Sequence, residues 1–247
     1  MLAAIDAHGR FCGENLKKFD DLFGTGCREF LDEIFEDRML IAEVSERVRD
    51  VAQFKRKLWD HARLFGLYRI FMYCLIRHLS PARVVETGVL HGFSSLLILQ
   101  ALKRNGKGTL TSIDEPSYYE TGPANNDGYV DVLPIDCGPG WIVPERLMGN
   151  WNLRLGRSSA LLEPALSESP VEVFLHDSEH TYETMTRELE QAWSRVTDGG
   201  FIVADNIDAN SSFFDFANRV RREVVVCAGD PSDTSYHQPI RFGALRK

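Results

Sequence analysis

From residue 82 onward the chain reads as short apolar runs separated by amphipathic segments: ARVVETG, SSLLILQALKR, GTLTSID, NLRLG, VEVFL and GGFIVADN follow one another. Runs rich in Val, Ile and Leu and only a few residues long predict buried strands, and the segments between them predict helices. Between the last two runs, Tyr182, Met185, Leu189, Ala192 and Val196 recur at intervals of three and four, which predicts a helix beginning near Thr181. Such alternation implies a parallel sheet with helices on both faces, an α/β architecture. The chain ahead of it has a different texture. Residues 28–79 carry helical spacing, as in Val44, Val48 and Val51, and LYRIFMYCLIRHL predicts a dense apolar helix that stops before Pro81. The change of texture comes after Pro81; the chain is taken as a helical N-terminal extension, residues 1–66, and a domain, residues 67–247, that holds the alternating strands and helices. The helical apolar faces exceed what one sheet covers, so a lid or a dimer contact, and with it a homo-oligomer, is expected there. Residues 115–150 follow neither period and hold Tyr118, Tyr119 and Trp141, so a lid or binding loop facing a substrate is expected. FFDF at 213–216 predicts a helix packed on the sheet.

Composition narrows the partners. With 28 Lys+Arg against 36 Asp+Glu the chain carries a net charge of -8, which disfavours nucleic acid and anionic membrane surfaces and favours a small-molecule partner. Five cysteines are scattered without C-x-x-C spacing, so neither a disulfide framework nor a thiolate metal site is indicated. Reduced thiols, the lack of a signal-peptide layout in MLAAIDAHGRF and the lack of a long apolar run point to a cytoplasmic protein.

Ligands of open α/β sheets bind beyond the carboxyl ends of the strands, and three strand ends here carry chemistry. The first is VVETGVLHGFSS. Gly88 lets the backbone turn tightly beneath a ligand, and Gly92 is expected to let the next helix pack close to the strand. A nicotinamide site would place G-x-G-x-x-G here, but Glu86 stands near the first glycine; an acid suits a cofactor with a cationic sulfonium and amino group better than a diphosphate. This disfavours a nicotinamide-dependent dehydrogenase. The second end is TSID, where Asp114 can accept hydrogen bonds from ribose hydroxyls. The third is a pair: FLHD and VADN end consecutive strands, and if these are neighbours their ends lie about 5 Å apart. Asp177, Asp205 and Asn206 can then converge on one ion, and two carboxylates with an amide oxygen suit a hard cation such as Mg2+.

His176-Asp-Ser-Glu-His180 also matches the H-x-x-E-H pattern of zinc peptidases. That chemistry needs both histidines on one face of one helix. Here His176 ends a strand and the helix begins only near Thr181, so the match is read as accidental.

Together, ETGVLHGFSS, SID, LGRSSALLEPAL, FLHDSEHTYE and GGFIVADN resemble the class I S-adenosylmethionine-dependent methyltransferases. Within that class the chain is similar to the metal-dependent O-methyltransferases, including catechol O-methyltransferase and the relatives that methylate macrolide sugars. The resemblance implies a Rossmann-like seven-stranded sheet in the order 3-2-1-4-5-7-6, with VVVCAG and IRFGALR as its closing hairpin. It implies S-adenosylmethionine as cofactor, with Glu86, Gly88 and Ser94 flanking the methionine part, Asp114 holding the ribose and Ser158 near the adenine. It also implies Asp177, Asp205 and Asn206 as Mg2+ ligands. Two features depart from the catechol pattern: His180 stands where a lysine follows the first metal aspartate, as in the sugar-methylating relatives, and the segment between Asp114 and Gly156 is longer.

The chemistry implied is transfer of a methyl group to a hydroxyl of a small molecule, a sugar or natural-product-like acceptor. Imidazole titrates near neutrality, which makes His180 the expected catalytic base. Glu179 and His176 stand beside it as understudies, and His91 and Arg157 neighbour the cofactor loops. The rival reading is a non-catalytic scaffold binding a partner through its N-terminal helices; the retained set of Glu86, Asp114, Asp177, Asp205 and Asn206 argues against it.

Overall fold

The computed structural model describes residues 2–49, 66–116, 133–134, 136–228 and 241–247, with side chains from residue 8 onward. Helices α1 (Leu2–Phe23), α2 (Leu31–Phe35), α3 (Arg38–Arg49) and α4 (Leu67–Leu79) precede the sheet. Val44 and Val48 are buried on α3 as their spacing requires; Val51 lies outside the described residues. α4 ends at Leu79 with Ser80 in the left-handed conformation, two residues ahead of Pro81's successor, Ala82, and the sheet starts directly after it.

The strands are β1 (Arg83–Thr87), β2 (Thr109–Asp114), β3 (Trp151–Leu155), β4 (Val171–His176), β5 (Val196–Ala204), β6 (Val224–Ala228) and β7 (Arg241–Arg246). They form one sheet in the order β3-β2-β1-β4-β5-β7-β6, the order that the resemblance implied. β1 to β5 run parallel, and β7 enters antiparallel between β5 and β6. β1 is buried along its whole length, as expected of a strand covered on both faces.

Two apolar layers cover the sheet. One contains α4, α5 (Phe93–Asn105) and the N-terminal helices, whose Leu16, Phe19, Ile34, Leu40 and Val44 join the cluster that includes Val84, Leu97 and Val203. Phe19 packs edge-on against Phe71 at 4.6 Å and lies 5.4 Å from Phe201, which seats α1 on α4 and the sheet. The other layer holds α6 (Ser158–Ser167), α7 (Tyr182–Arg195) and α8 (Ser212–Val220). Phe213 and Phe216 are buried there, as FFDF predicts, while Phe214 is exposed.

α7 begins where its sequence places it: Thr181 caps the helix by accepting from the Thr184 amide at 3.3 Å. Its apolar stripe differs from the expected one at both ends. Tyr182 is 47% exposed, and Val196 has left the helix to start β5. The stripe ends early because Val196 takes an extended conformation, φ -65° and ψ 137°, and turns the chain into the sheet. Among the described residues no helix is long and apolar enough to cross a membrane.

Candidate active site

The parallel strands bring their carboxyl ends to one edge, and the residues singled out in the sequence gather along it. At the end of β1, Gly88 has φ 83°, and a Cβ there would lie 1.8 Å from the Asp177 carbonyl oxygen. Only a residue without a side chain allows this approach of two strand ends. The Gly88 amide donates to Ile113 O at 2.8 Å and the Asp177 amide to Thr87 O at 2.9 Å, so the turn is tied to β2 on one side and to β4 on the other. Gly92, φ 92°, serves a different partner from the one expected. A Cβ there would meet Gly140 Cα at 2.6 Å, so this glycine admits the 136–150 segment rather than a close helix–strand contact.

That segment is docked on the glycine turn. The Gly140 amide donates to Leu90 O at 2.7 Å, and Trp141 Nε1 donates to His91 Nδ1 at 3.1 Å. α3 holds it from the other side: Arg47 Nη1 donates to Trp141 O at 3.2 Å, and Arg146 grips both Glu43 oxygens, at 2.9 Å and 2.7 Å. Tyr118 and Tyr119 lie outside the described residues.

Glu86 is fully buried. Its Oε1 accepts from Ser112 Oγ at 2.6 Å and from Ser95 Oγ, whereas Oε2 has no hydrogen-bond partner among the described residues. Burial pushes its carboxyl up to about 7, against the pull of the serine hydroxyls. Ser94 is buried beside it. Asp114, at the end of β2, turns inward: Oδ2 accepts from the amides of Val89 and Leu90 at 2.7 Å and 2.9 Å, so it shapes the glycine turn. Burial raises its carboxyl and those two amides pull it back. Ser158 opens α6 and is partly buried, while Arg157 is exposed and donates to Glu115 Oε1 at 3.0 Å.

The β4 and β5 ends lie side by side, with His176 opposite Ala204 and the Asp205 amide donating to His176 O at 2.9 Å. Asp177, Asp205, Asn206 and His180 therefore converge. Burial and the neighbouring Asp205 push the Asp177 carboxyl well above the carboxylate range. Burial likewise raises Asp205 to about 6, with His180 and Arg69 drawing it down. Asp205 Oδ1 and Asn206 Oδ1 are buried without a hydrogen-bond partner among the described residues, and Asn206 adopts φ 50°, a left-handed turn that an Asn tolerates better than most residues. His180 Nε2 lies 3.9 Å from Asp177 Oδ1 and 3.4 Å from Asn206 Nδ2. Among the described residues no three His, Cys, Asp or Glu side chains are placed to hold an ion; this cluster has two carboxylates and an amide, and its orphaned oxygens are hard donors that fit a hard cation.

The histidines of the H-x-x-E-H match do not share a helix: His176 ends β4 and His180 precedes α7. His176 is fully buried and its Nδ1 lies 2.8 Å from Glu188 Oε2. Glu188 also accepts from Thr87 Oγ1 at 2.6 Å and from Ser178 Oγ at 2.9 Å, so one buried carboxylate ties α7 to the ends of β1 and β4. His176 holds Glu188 below the usual carboxylate range despite its burial, which by itself raises it. The sequence reading missed Glu188. The available signal was an acid set among Met185, Leu189 and Ala192 on the covered face of α7. It missed Tyr68 and Arg69 as well. Tyr68, in the first turn of α4, donates from its hydroxyl to Asp177 Oδ2 at 2.8 Å, and Arg69 Nε donates to that hydroxyl at 3.1 Å.

Residues 85–207 match a family model described as a methyltransferase domain. No curated protein matches the sequence. Among solved structures, the chain is similar to an O-methyltransferase from Bacillus cereus in complex with SAH, with TM-score 0.60 and 15% identity over 83% of this chain and 91% of that one. A putative O-methyltransferase from Klebsiella pneumoniae gives TM-score 0.59 and 15% identity over 88% and 94%. TomG from Streptomyces achromogenes, an O-methyltransferase involved in tomaymycin synthesis and bound to SAM, gives TM-score 0.53 and 17% identity over 86% and 91%.

Proposed function

From a chain that carries a methyltransferase domain at residues 85–207 on the class I methyltransferase fold, we propose an S-adenosylmethionine-dependent O-methyltransferase whose acceptor is a hydroxyl of a small molecule. We place a divalent ion such as Mg2+ at Asp177, Asp205 and Asn206. The observation that carries this reading is the meeting of that trio and His180 beside the Gly88 turn, with two buried oxygens of the trio unpartnered.

When bound, the cofactor would supply a methyl group on a sulfonium, and an ion held by Asp177, Asp205 and Asn206 would lower the pKa of an acceptor hydroxyl. The chain's own residues do the rest. The unpartnered Oε2 of Glu86 offers an acceptor to the cationic methionine end of the cofactor. Asp114 keeps the turn in shape through the Val89 and Leu90 amides, which leaves its other oxygen as the acceptor that would hold the ribose. Gly92, Ser94 and Ser158 line the same edge. His180 takes the acceptor's proton as the methyl group is transferred, within reach of the ion ligands at 3.9 Å from Asp177. The segment around Trp141, docked on the glycine turn and held by Glu43 and Arg47 of α3, would cover the crevice, with α3 of the N-terminal extension serving as part of a lid. A sugar or natural-product-like acceptor is in keeping with the fold shared with TomG.

Calorimetric titration with S-adenosylmethionine, Mg2+ and NAD tests the reading, since NAD binding in place of S-adenosylmethionine would refute it. Asp114→Ala should weaken S-adenosylmethionine binding in a folded chain. Asp177→Ala should abolish ion binding, whereas His180→Ala should keep it and cut turnover by about 10² to 10⁴. Loss of the ion in His180→Ala would make His180 a ligand rather than the base.

A further inference from the structure

Two carboxyl groups held side by side in a largely buried crevice can both ionise only beside a positive partner. His180 faces them, but an imidazole is charged only when protonated, whereas a guanidinium keeps its charge throughout the accessible pH range. The guanidinium at this edge belongs to Arg69. It donates to the Tyr68 hydroxyl at 3.1 Å, and that hydroxyl donates to Asp177 Oδ2 at 2.8 Å. Its Cζ lies 4.9 Å from the centre of the Tyr68 ring and 5.1 Å from that of Phe93, the first residue of α5. Arg69 is thus seated between the first turn of α4 and the helix that follows the glycine turn, both of which border the carboxylate pair. Its charge acts on Asp177 and Asp205 alike, opposing the rise that burial causes in each.

We propose that Arg69 is the built-in counter-cation of the Asp177–Asp205 pair, and that a divalent ion entering between these carboxylates competes with it, so that ion occupancy is linked to the first turn of α4. This deepens the proposed function and rests on its assignment of the two aspartates as ion ligands. Arg69 keeps the pair balanced before the ion arrives, and its positive charge holds the ion affinity down. Tyr68, donating to Asp177 and accepting from Arg69, transmits the competition to α4.

A double-mutant cycle on the full chain in the presence of a chelator tests the counter-cation role without any ion. Arg69→Met should lower the melting temperature in the parent and have little effect in an Asp205→Asn background. Titration with Mn2+, followed by the electron paramagnetic resonance signal of the free ion, tests the competition. Arg69→Met should bind Mn2+ about tenfold more tightly than the parent, and Arg69→Lys, which keeps the charge, should stay near it. Arg69→Gln runs alongside, so that a folding failure of the Met variant leaves the comparison standing. An additive cycle overturns the proposal, and so does Mn2+ affinity that ignores removal of the charge. A non-additive cycle in chains that never bind Mn2+ would instead remove the ion from the proposed function and leave Arg69 as the permanent cation of the pair.

Discussion

Replacing Glu86 by Gln should remove the pH dependence that this residue imposes on stability. Glu86 is fully buried, its carboxyl rises from the ordinary 4.5 to about 7, and one of its oxygens has no partner. The folded chain therefore binds the Glu86 proton more tightly than the unfolded chain does. The stabilisation linked to that proton is full below pH 4.5 and is lost as pH rises through about 7. The two values lie about 2.5 pH apart, and at ~1.4 kcal/mol for each tenfold change in proton affinity the loss is ~3 kcal/mol. A glutamine has the same shape, can accept from Ser95 and Ser112 through its oxygen, and does not titrate. Urea denaturation of both chains between pH 4.5 and 8.5, without ligand, isolates Glu86, because the remaining carboxylates are common to the two. The stability of the parent relative to Glu86→Gln should fall by ~3 kcal/mol across that range. A difference that stays flat within about 0.5 kcal/mol would refute the reasoning, since it would mean that Glu86 has similar proton affinities in both states. In addition, a cationic ligand group beside Glu86 would release its proton on binding near pH 6.5. Calorimetry in buffers of different ionisation enthalpy would detect that release in the parent and miss it in Glu86→Gln.

Gly88→Ala should destabilise the chain by more than about 2 kcal/mol, because the new Cβ adds left-handed strain to the contact with the Asp177 carbonyl; a melting temperature within two degrees of the parent would show that the strand ends can part. Glu188→Ala removes the acceptor shared by His176, Thr87 and Ser178, so a loss of about 3–5 kcal/mol is expected in urea denaturation. A loss below about 1 kcal/mol would mean that these donors find other partners. Trp141→Phe keeps an aromatic ring but removes the donor to His91; it should weaken S-adenosylmethionine binding a few-fold without lowering the melting temperature measurably, and unchanged affinity would separate the 136–150 segment from the cofactor site.

The hydrophobic pattern by itself determined the alternation of strands and helices, the start of α7 at Thr181 and the stop of α4 ahead of Pro81, because period and capping chemistry act over a few residues. It also placed Glu86, Asp114, Asp177, Asp205 and Asn206 at strand ends, since in a parallel sheet all carboxyl ends share one edge. The order of the strands came from the likeness of the ordered motifs to a family, and the sheet has that order. What the sequence could not carry is the identity of partners. Periodicity reports that a face is covered and not by what, so the sequence points to a helix–strand contact at Gly92, where the fold instead places Gly140. Glu188 sits on a covered helix face where an apolar residue is the rule, and its acceptors' role appears only once β1 and β4 end beside it. Tyr68 and Arg69 lie in an apolar helix more than a hundred residues from Asp177, too far for any local pattern to connect them. Only packing α4 against the sheet put a hydroxyl against the buried Asp177 carboxyl and a guanidinium beside that hydroxyl, and the low dielectric of that crevice is what makes the charge count.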